Sequence, residues 1–100
     1  MIIRDILGLK GGTIFSIVPE EMVSRAVTMM VTNDIGSLVV MEHGDLVGML
    51  TFREVIQAVV RNGGSVGTSL VRRVMDDAPL TCTPETELDE VRRMMLARHA

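Results

Sequence analysis

Residues 13 to 35 recur, loosely, as residues 78 to 100. A shift of 65 positions lays Pro19 on Pro84, Glu20 on Glu85, Met29 on Met94 and Met30 on Met95, with Val23 on Leu88, Ala26 on Val91 and Val31 on Leu96. A shift of 68 continues the match upstream, pairing Ile3, Arg4, Ile6 and Leu7 with Val71, Arg72, Val74 and Met75. Self-similarity of this kind means two copies of one supersecondary unit, each too small to bury its apolar face alone. The stretch from Gly36 to Val60 has no counterpart after Ala100. The sequence therefore predicts one complete unit over residues 1–62, a linker over 63–70, and an incomplete second unit over 71–100.

Size and composition narrow the classes. A chain of 100 residues, 47% of them apolar, makes one domain and buries roughly two thirds of its unfolded surface. A net charge of −3 excludes a sequence-independent nucleic-acid binder, which needs surplus Lys and Arg to displace phosphate counterions. The two aromatics, Phe15 and Phe52, offer little for base stacking. Cys82 is the lone cysteine and only two His are present, so neither an intrachain disulfide nor a clustered metal site is expected, and a reducing cytoplasm fits. Arg4 and Asp5 come too early for a secretory leader, and no apolar run reaches the ~20 residues needed to span a bilayer. No membrane role is expected. The nine Met read as adaptable core filling.

Local pattern gives the order of elements. Thr13 to Val18 is β-branched or aromatic but for one Ser and reads as a strand that Pro19 ends. Met22, Val23, Ala26, Val27, Met29 and Met30 then share one helical face, up to Asn33. Ser37 to Met41 and Leu46 to Leu50 flank Glu42-His43-Gly44-Asp45, a turn composition that predicts a β-hairpin. From Phe52 the apolar residues Val55, Ile56, Val59 and Val60 return to the helical period, and Asn62-Gly63-Gly64 stops them. Beyond the linker come a short helical Leu70 to Met75, a turn at Asp76 to Pro79, an extended Leu80 to Thr83, and a helix from about Pro84. That last helix has Glu85, Glu87, Asp89 and Glu90 near its start and Arg92, Arg93, Arg98 and His99 near its end, an arrangement that suits the helix dipole. Its Leu88, Val91 and Met95 face needs a covering sheet.

These elements define an α/β, or α+β, fold class built on a β-α-β-β-α unit. With the strand entry Ile35-Gly36-Ser37-Leu38-Val39-Val40, the hairpin arm Gly44 to Thr51, the helix start Thr51-Phe52-Arg53-Glu54-Val55 and the lead-in Asp5-Ile6-Leu7, this unit resembles the cystathionine-β-synthase (CBS) domain. The resemblance spans essentially the whole chain. It implies two tandem motifs packed about a pseudo-twofold axis, with clefts that take AMP, ATP, NAD or S-adenosylmethionine as regulatory ligands and no obligatory cofactor. The family's ligand signature falls on Gly48-Met49-Leu50-Thr51-Phe52-Arg53-Glu54. By that likeness Thr51 holds a phosphate, the acidic residue clasps the ribose hydroxyls, and Thr13, Ile14 and the backbone of Gly36, Ser37 and Leu38 border the base. Arg53, beside the helix start, could meet a phosphate.

The chain departs from the family at the last signature position, where Glu54 stands for Asp. One added methylene moves the carboxylate by about an ångström, enough to lose a short charge-assisted bond. Thr51-x-x-Glu54 is equally a capping box, which stabilises a helix start by about 1 kcal/mol with no ligand present. The two readings stay open, since a helix start with free amides is itself an anion site. Gly8 to Thr13 lacks the order of a phosphate loop, although Lys10 could reach an anion. Arg72-Arg73 and Arg92-Arg93 read as solvated faces, His43 as a turn residue, and Cys82 as a buried apolar group.

No nucleophile, base and orienting group can be assembled, so an enzyme is not expected. The reading is a non-catalytic module sensing an adenosine ligand, with a protein-interaction module that binds no nucleotide as its competitor. A homodimer is expected, with segment exchange as one route to it.

Overall fold

A computed structural model describes residues 14–81, 83 and 85–98. Ile14–Pro79 forms one compact unit, and the described residues from Leu80 onward belong to another.

The hairpin organises the first unit. Strand β2 (Ser37–Glu42) pairs antiparallel with strand β3 (Asp45–Thr51) across His43 and Gly44, whose φ angles of 53° and 84° are the paired positive values that a two-residue hairpin turn requires. Strand β1 (Ser16–Ile17) lies parallel on the other side of β2, giving the order β1-β2-β3. The register sets Ile17 against Val40 and Val40 against Gly48, while Leu38 opposes Leu50. Side chains alternate along a strand, so Ile17, Leu38, Val40 and Leu50 share one face, and all four are buried. The named strand β1 is shorter than the expected residues 13–18. Thr13 lies outside the described residues, and Pro19, which has no amide to donate, sits in the turn closed by the Glu21 amide on the Val18 carbonyl at 3.2 Å.

Helix α1 (Val23–Asn33) crosses from β1 to β2 and buries Val23, Ala26 and Met30, the i, i+3, i+7 stripe of an amphipathic helix. It ends at Asp34, which takes the left-handed φ of 52° and returns its amide to the carbonyls of Met30 and Val31. Helix α2 (Phe52–Arg61) follows β3 directly. Here the structure differs from the pattern read off the sequence. Ala58 is the buried residue and Val55 packs beside the core, while Phe52, Ile56 and Val60 point outward, 53%, 61% and 75% exposed.

The segment after the linker belongs with the first unit. Helix α3 (Val71–Val74) buries both of its valines. Around it the chain is stitched to the approach to α1 by three backbone bonds of 2.9 Å: Val23 amide to Ser69 carbonyl, Val71 amide to Glu21 carbonyl, and Arg72 amide to Pro19 carbonyl. Farther on, Asp76 and Met49 exchange amide-to-carbonyl bonds of 2.8 and 2.9 Å, an isolated antiparallel bridge on the outer edge of β3. Arg72 also donates through Nε to Glu20 at 2.7 Å and through a terminal nitrogen to Glu42. The bonds to Glu20 and then to Glu42 raise the guanidinium above its ordinary pKa. Thus the compact unit runs past the linker to Pro79, although the sequence repeat restarts at Val71.

In the second unit, helix α4 (Leu88–Arg98) has the 11-residue length of α1 and the bounds of α1 displaced by the 65-residue repeat. It begins later than the Pro84 expected from sequence. Before it, the Thr83 amide donates to Thr86 Oγ1 and the Thr86 amide to the Thr83 carbonyl, both at 3.0 Å, which holds a turn in place of helix. Pro84, Cys82 and His99 lie outside the described residues, and residues 80, 81 and 83 form no strand. Nothing on α4 is buried, so the apolar face expected at Leu88, Val91 and Met95 is half-buried at the first two and 43% exposed at Met95.

Candidate ligand site at one end of the sheet

Because β1 and β2 run parallel and β3 antiparallel, the start of β1, the start of β2 and the end of β3 meet at one end of the sheet. Ser16 pairs with Val39, and the Val39 amide donates to the Phe15 carbonyl at 3.2 Å. Continuing that register two residues back sets Ile14 beside Ser37, and Ser37 pairs with Thr51. Ile14, Ser37 and Thr51 therefore form a row across the sheet end. Ile14 is 72% exposed, Ser37 is exposed and Thr51 half-buried, so the row is open to a ligand. Of the residues expected to border the base, Leu38 is turned into the core and offers only its backbone, and Thr13 lies outside the described residues.

Thr51 is at once the last residue of β3 and the N-cap of α2, with extended φ and ψ of −117° and 172°. Its Oγ1 accepts from the Arg53 amide at 3.2 Å. The same hydroxyl donates to Glu54 Oε1 at 2.7 Å, and the Thr51 amide donates to that oxygen at 2.8 Å. This is the capping box in full. A threonine hydroxyl has one proton and the backbone one more, so both donors of Thr51 point at a single carboxylate oxygen.

The other signature residues have structural work of their own. A Cβ at Gly48 would lie 2.7 Å from Met75 Sδ and 2.8 Å from the Asp76 carbonyl, so this glycine is what lets the returning segment close on β3. Leu50 is in the core, and Met49 is the backbone partner of Asp76. Phe52 donates its amide to the Gly36 carbonyl at 3.3 Å, and its ring edge would lie 3.3 Å from a Cβ at Gly36. The ring thereby covers the strand entry. Sequence reasoning missed the roles of Gly48 and Phe52, because both depend on which segment lies across the sheet edge or over the strand entry.

Among the described residues no group of His, Cys, Asp and Glu is arranged to hold a metal ion, and no helix is long and apolar enough to cross a membrane. No buried side-chain polar atom among them lacks a partner.

The family model of the CBS domain matches residues 12–61, half of the chain, including every element of the sheet end. The chain belongs to the CBS domain family. It thus carries a regulatory module. No curated protein matches it. Solved structures give the same fold. A CBS-domain containing protein from Agrobacterium tumefaciens superposes with a TM-score of 0.92 at 22% identity, over 99% of this chain and 75% of the other. The CBS domain NE2398 gives 0.91 at 23%, over 100% and 78%. The CBS domain pair of protein MJ0100, in complex with 5′-methylthioadenosine and S-adenosyl-L-methionine, gives 0.82 at 20%, over 99% and 74%.

Proposed function

We propose that this chain is a non-catalytic regulatory module that takes an adenosine ligand of the AMP or ATP kind at the sheet end, NAD and S-adenosylmethionine being the related candidates. The row of Ile14, Ser37 and Thr51, set against the start of α2, carries this reading. A phosphate suits the amide-rich start of a helix, where the backbone partial charge is positive. On this reading Thr51 and Arg53 meet the phosphate, Ile14 and the backbone of Gly36, Ser37 and Leu38 border the base, and Glu54 is the group nearest in kind to the family's ribose-binding Asp. The ligands of the MJ0100 pair, whose fold this chain shares, support an adenosine compound. Regulation is then a matter of linkage: a ligand biases its module only by the difference in its affinity for two conformations, and a partner reads that difference.

Calorimetric titration with AMP, ATP, NAD and S-adenosylmethionine tests the proposal. Thr51→Asp sets a negative charge where the phosphate goes, so it lowers affinity at least ~10-fold, about 1.4 kcal/mol, and it also lowers the melting temperature, because the hydroxyl's bond to Glu54 gives way to repulsion between two carboxylates. Absence of binding by all four compounds removes the reading.

A second reading draws on a separate observation. Phe52, Ile56 and Val60 lie four residues apart on the outer side of α2, a ridge of exposed apolar groups that favours contact with protein. On that reading the module is an interaction or dimerisation element, and the proposed homodimer forms through this ridge.

A further inference from the structure

The glycine-rich linker is fastened at one residue. Asn62, the C-cap of α2, donates from Nδ2 to Ser69 Oγ at 3.3 Å and to the Val66 carbonyl at 3.5 Å, so one exposed amide ties the end of the helix to the far end of the loop. Ser69 in turn holds the approach to α1, its carbonyl accepting from the Val23 amide at 2.9 Å. The same residue is the more reactive of the chain's two asparagines. Asn33 is followed by Asp34 and its Nδ2 is held by the Met29 carbonyl at 2.9 Å, whereas Asn62 has two longer bonds and is followed by Gly63, which has no side chain to shield its nitrogen or limit its backbone. We propose that Asn62-Gly63 is a site of spontaneous modification, in which the side-chain amide of Asn62 becomes an acid and the linker is released from the end of α2.

The step is intramolecular. The Gly63 nitrogen attacks Asn62 Cγ; the new N–Cγ bond forms as the Cγ–Nδ2 bond breaks, and ammonia leaves with the proton that the Gly63 nitrogen gives up. Water then opens the five-membered imide at one or other carbonyl, giving aspartate or the isomer whose main chain runs through the side chain. Water is the one co-reactant, and nothing is oxidised or reduced. The fold sets when this happens. With ψ of Asn62 at 11°, the Gly63 nitrogen nearly eclipses the Asn62 nitrogen and stands away from Cβ and Cγ, so the ring closes only after ψ turns. That turn breaks the bond from the Gly63 amide to the Val60 carbonyl, already long at 3.4 Å, and the one from the Gly64 amide to the Val59 carbonyl at 2.9 Å. It is the fraying of one helix end, at the low-cost limit of local opening. The product does not restore the tie. A carboxylate has no proton for the Val66 carbonyl, and it sets negative charge at the C-terminal end of a helix, where the dipole opposes it.

The test ages the whole chain in warm, mildly alkaline buffer, then applies peptide mapping by mass spectrometry, enzymatic methylation of isoaspartate, and amide hydrogen exchange. Asn62 is expected to convert at least ~10-fold faster than Asn33. The converted chain is expected to exchange the Ser69 and Val23 amides, now bonded to the Val66 and Ser69 carbonyls, at least ~3-fold faster, while the amides of β2 keep their protection. Asn62→Gln, whose closure needs a six-membered ring, stays unconverted, and Asn62→Asp shows the faster exchange without ageing. Conversion of Asn62 no faster than that of Asn33 overturns the site. Conversion that leaves exchange at Ser69 and Val23 unchanged, in the aged parent and in Asn62→Asp alike, overturns the release of the linker.

Discussion

Replacing Gly48 with alanine tests whether the signature glycine serves the fold. The φ of Gly48 is not positive, so backbone conformation is not the reason for glycine here. Space is: the added methyl would lie 2.7 Å from Met75 Sδ, 3.1 Å from Met75 Cγ and 2.8 Å from the Asp76 carbonyl oxygen. The methionine can swing aside, but the carbonyl cannot move without opening its 2.9 Å bond from the Met49 amide and the reciprocal 2.8 Å bond from the Asp76 amide. Overpacking costs about 1–3 kcal/mol and each net backbone bond about 0.5–1.5 kcal/mol. A loss of about 2–4 kcal/mol is expected, a fall in melting temperature of roughly 10–25 °C for a domain of this size. Gly36→Ala is the control. Its nearest neighbour is the edge of the half-exposed Phe52 ring at 3.3 Å, which can tilt away, so the loss stays under about 1 kcal/mol. Urea denaturation of both variants decides the matter: a Gly48→Ala change below about 0.5 kcal/mol would refute the close approach as the reason for glycine.

Leu50→Ala empties a fully buried position opposite Leu38 and is expected to cost about 2–5 kcal/mol by urea denaturation. Arg72→Gln breaks the bridge from Glu20 to Glu42 and lowers the melting temperature at low salt, with the difference from the parent shrinking as salt screens these exposed charges. Since the folded-state pKa of Arg72 is raised, its contribution is fully present below the unfolded pKa and is lost only in strong alkali, so the difference does not vary across neutral pH. Ile56→Glu places a charge in the middle of the exposed α2 ridge, and light scattering at micromolar concentration is expected to report a dimer for the parent and a monomer for the variant; an unchanged mass removes the ridge from the interface.

The hairpin was legible because Gly44 and Asp45 mark a turn between two apolar runs, although the positive φ falls on His43 and Gly44, and α1 because its apolar residues keep one period from Val23 to Met30. The 65-residue repeat was stronger still, since α4 reproduces both bounds of α1. The late start of α4 was not legible, because Thr83 and Thr86 satisfy each other's backbone in a turn that competes with helix. The outward turn of Phe52, Ile56 and Val60 escaped the sequence because periodicity marks an apolar stripe without saying which edge of it meets the sheet; Ala58, the smallest member of the helix, takes that place. At the site, the motif from Gly48 to Glu54 was visible, as was its double meaning as a capping box. Only coordinates could give the return of Met75 and Asp76 onto Gly48, since it joins residues far apart in the chain.

The most direct test of the sheet-end site is an amide-resolved nuclear magnetic resonance titration of the whole chain with AMP. Shifts gathered at Ile14, Ser37 and Thr51 to Glu54, with His43 and Gly44 at the far end of the hairpin unmoved, are the predicted result. A spectrum left unchanged by AMP, ATP, NAD and S-adenosylmethionine, or one that moves only away from that row, contradicts it.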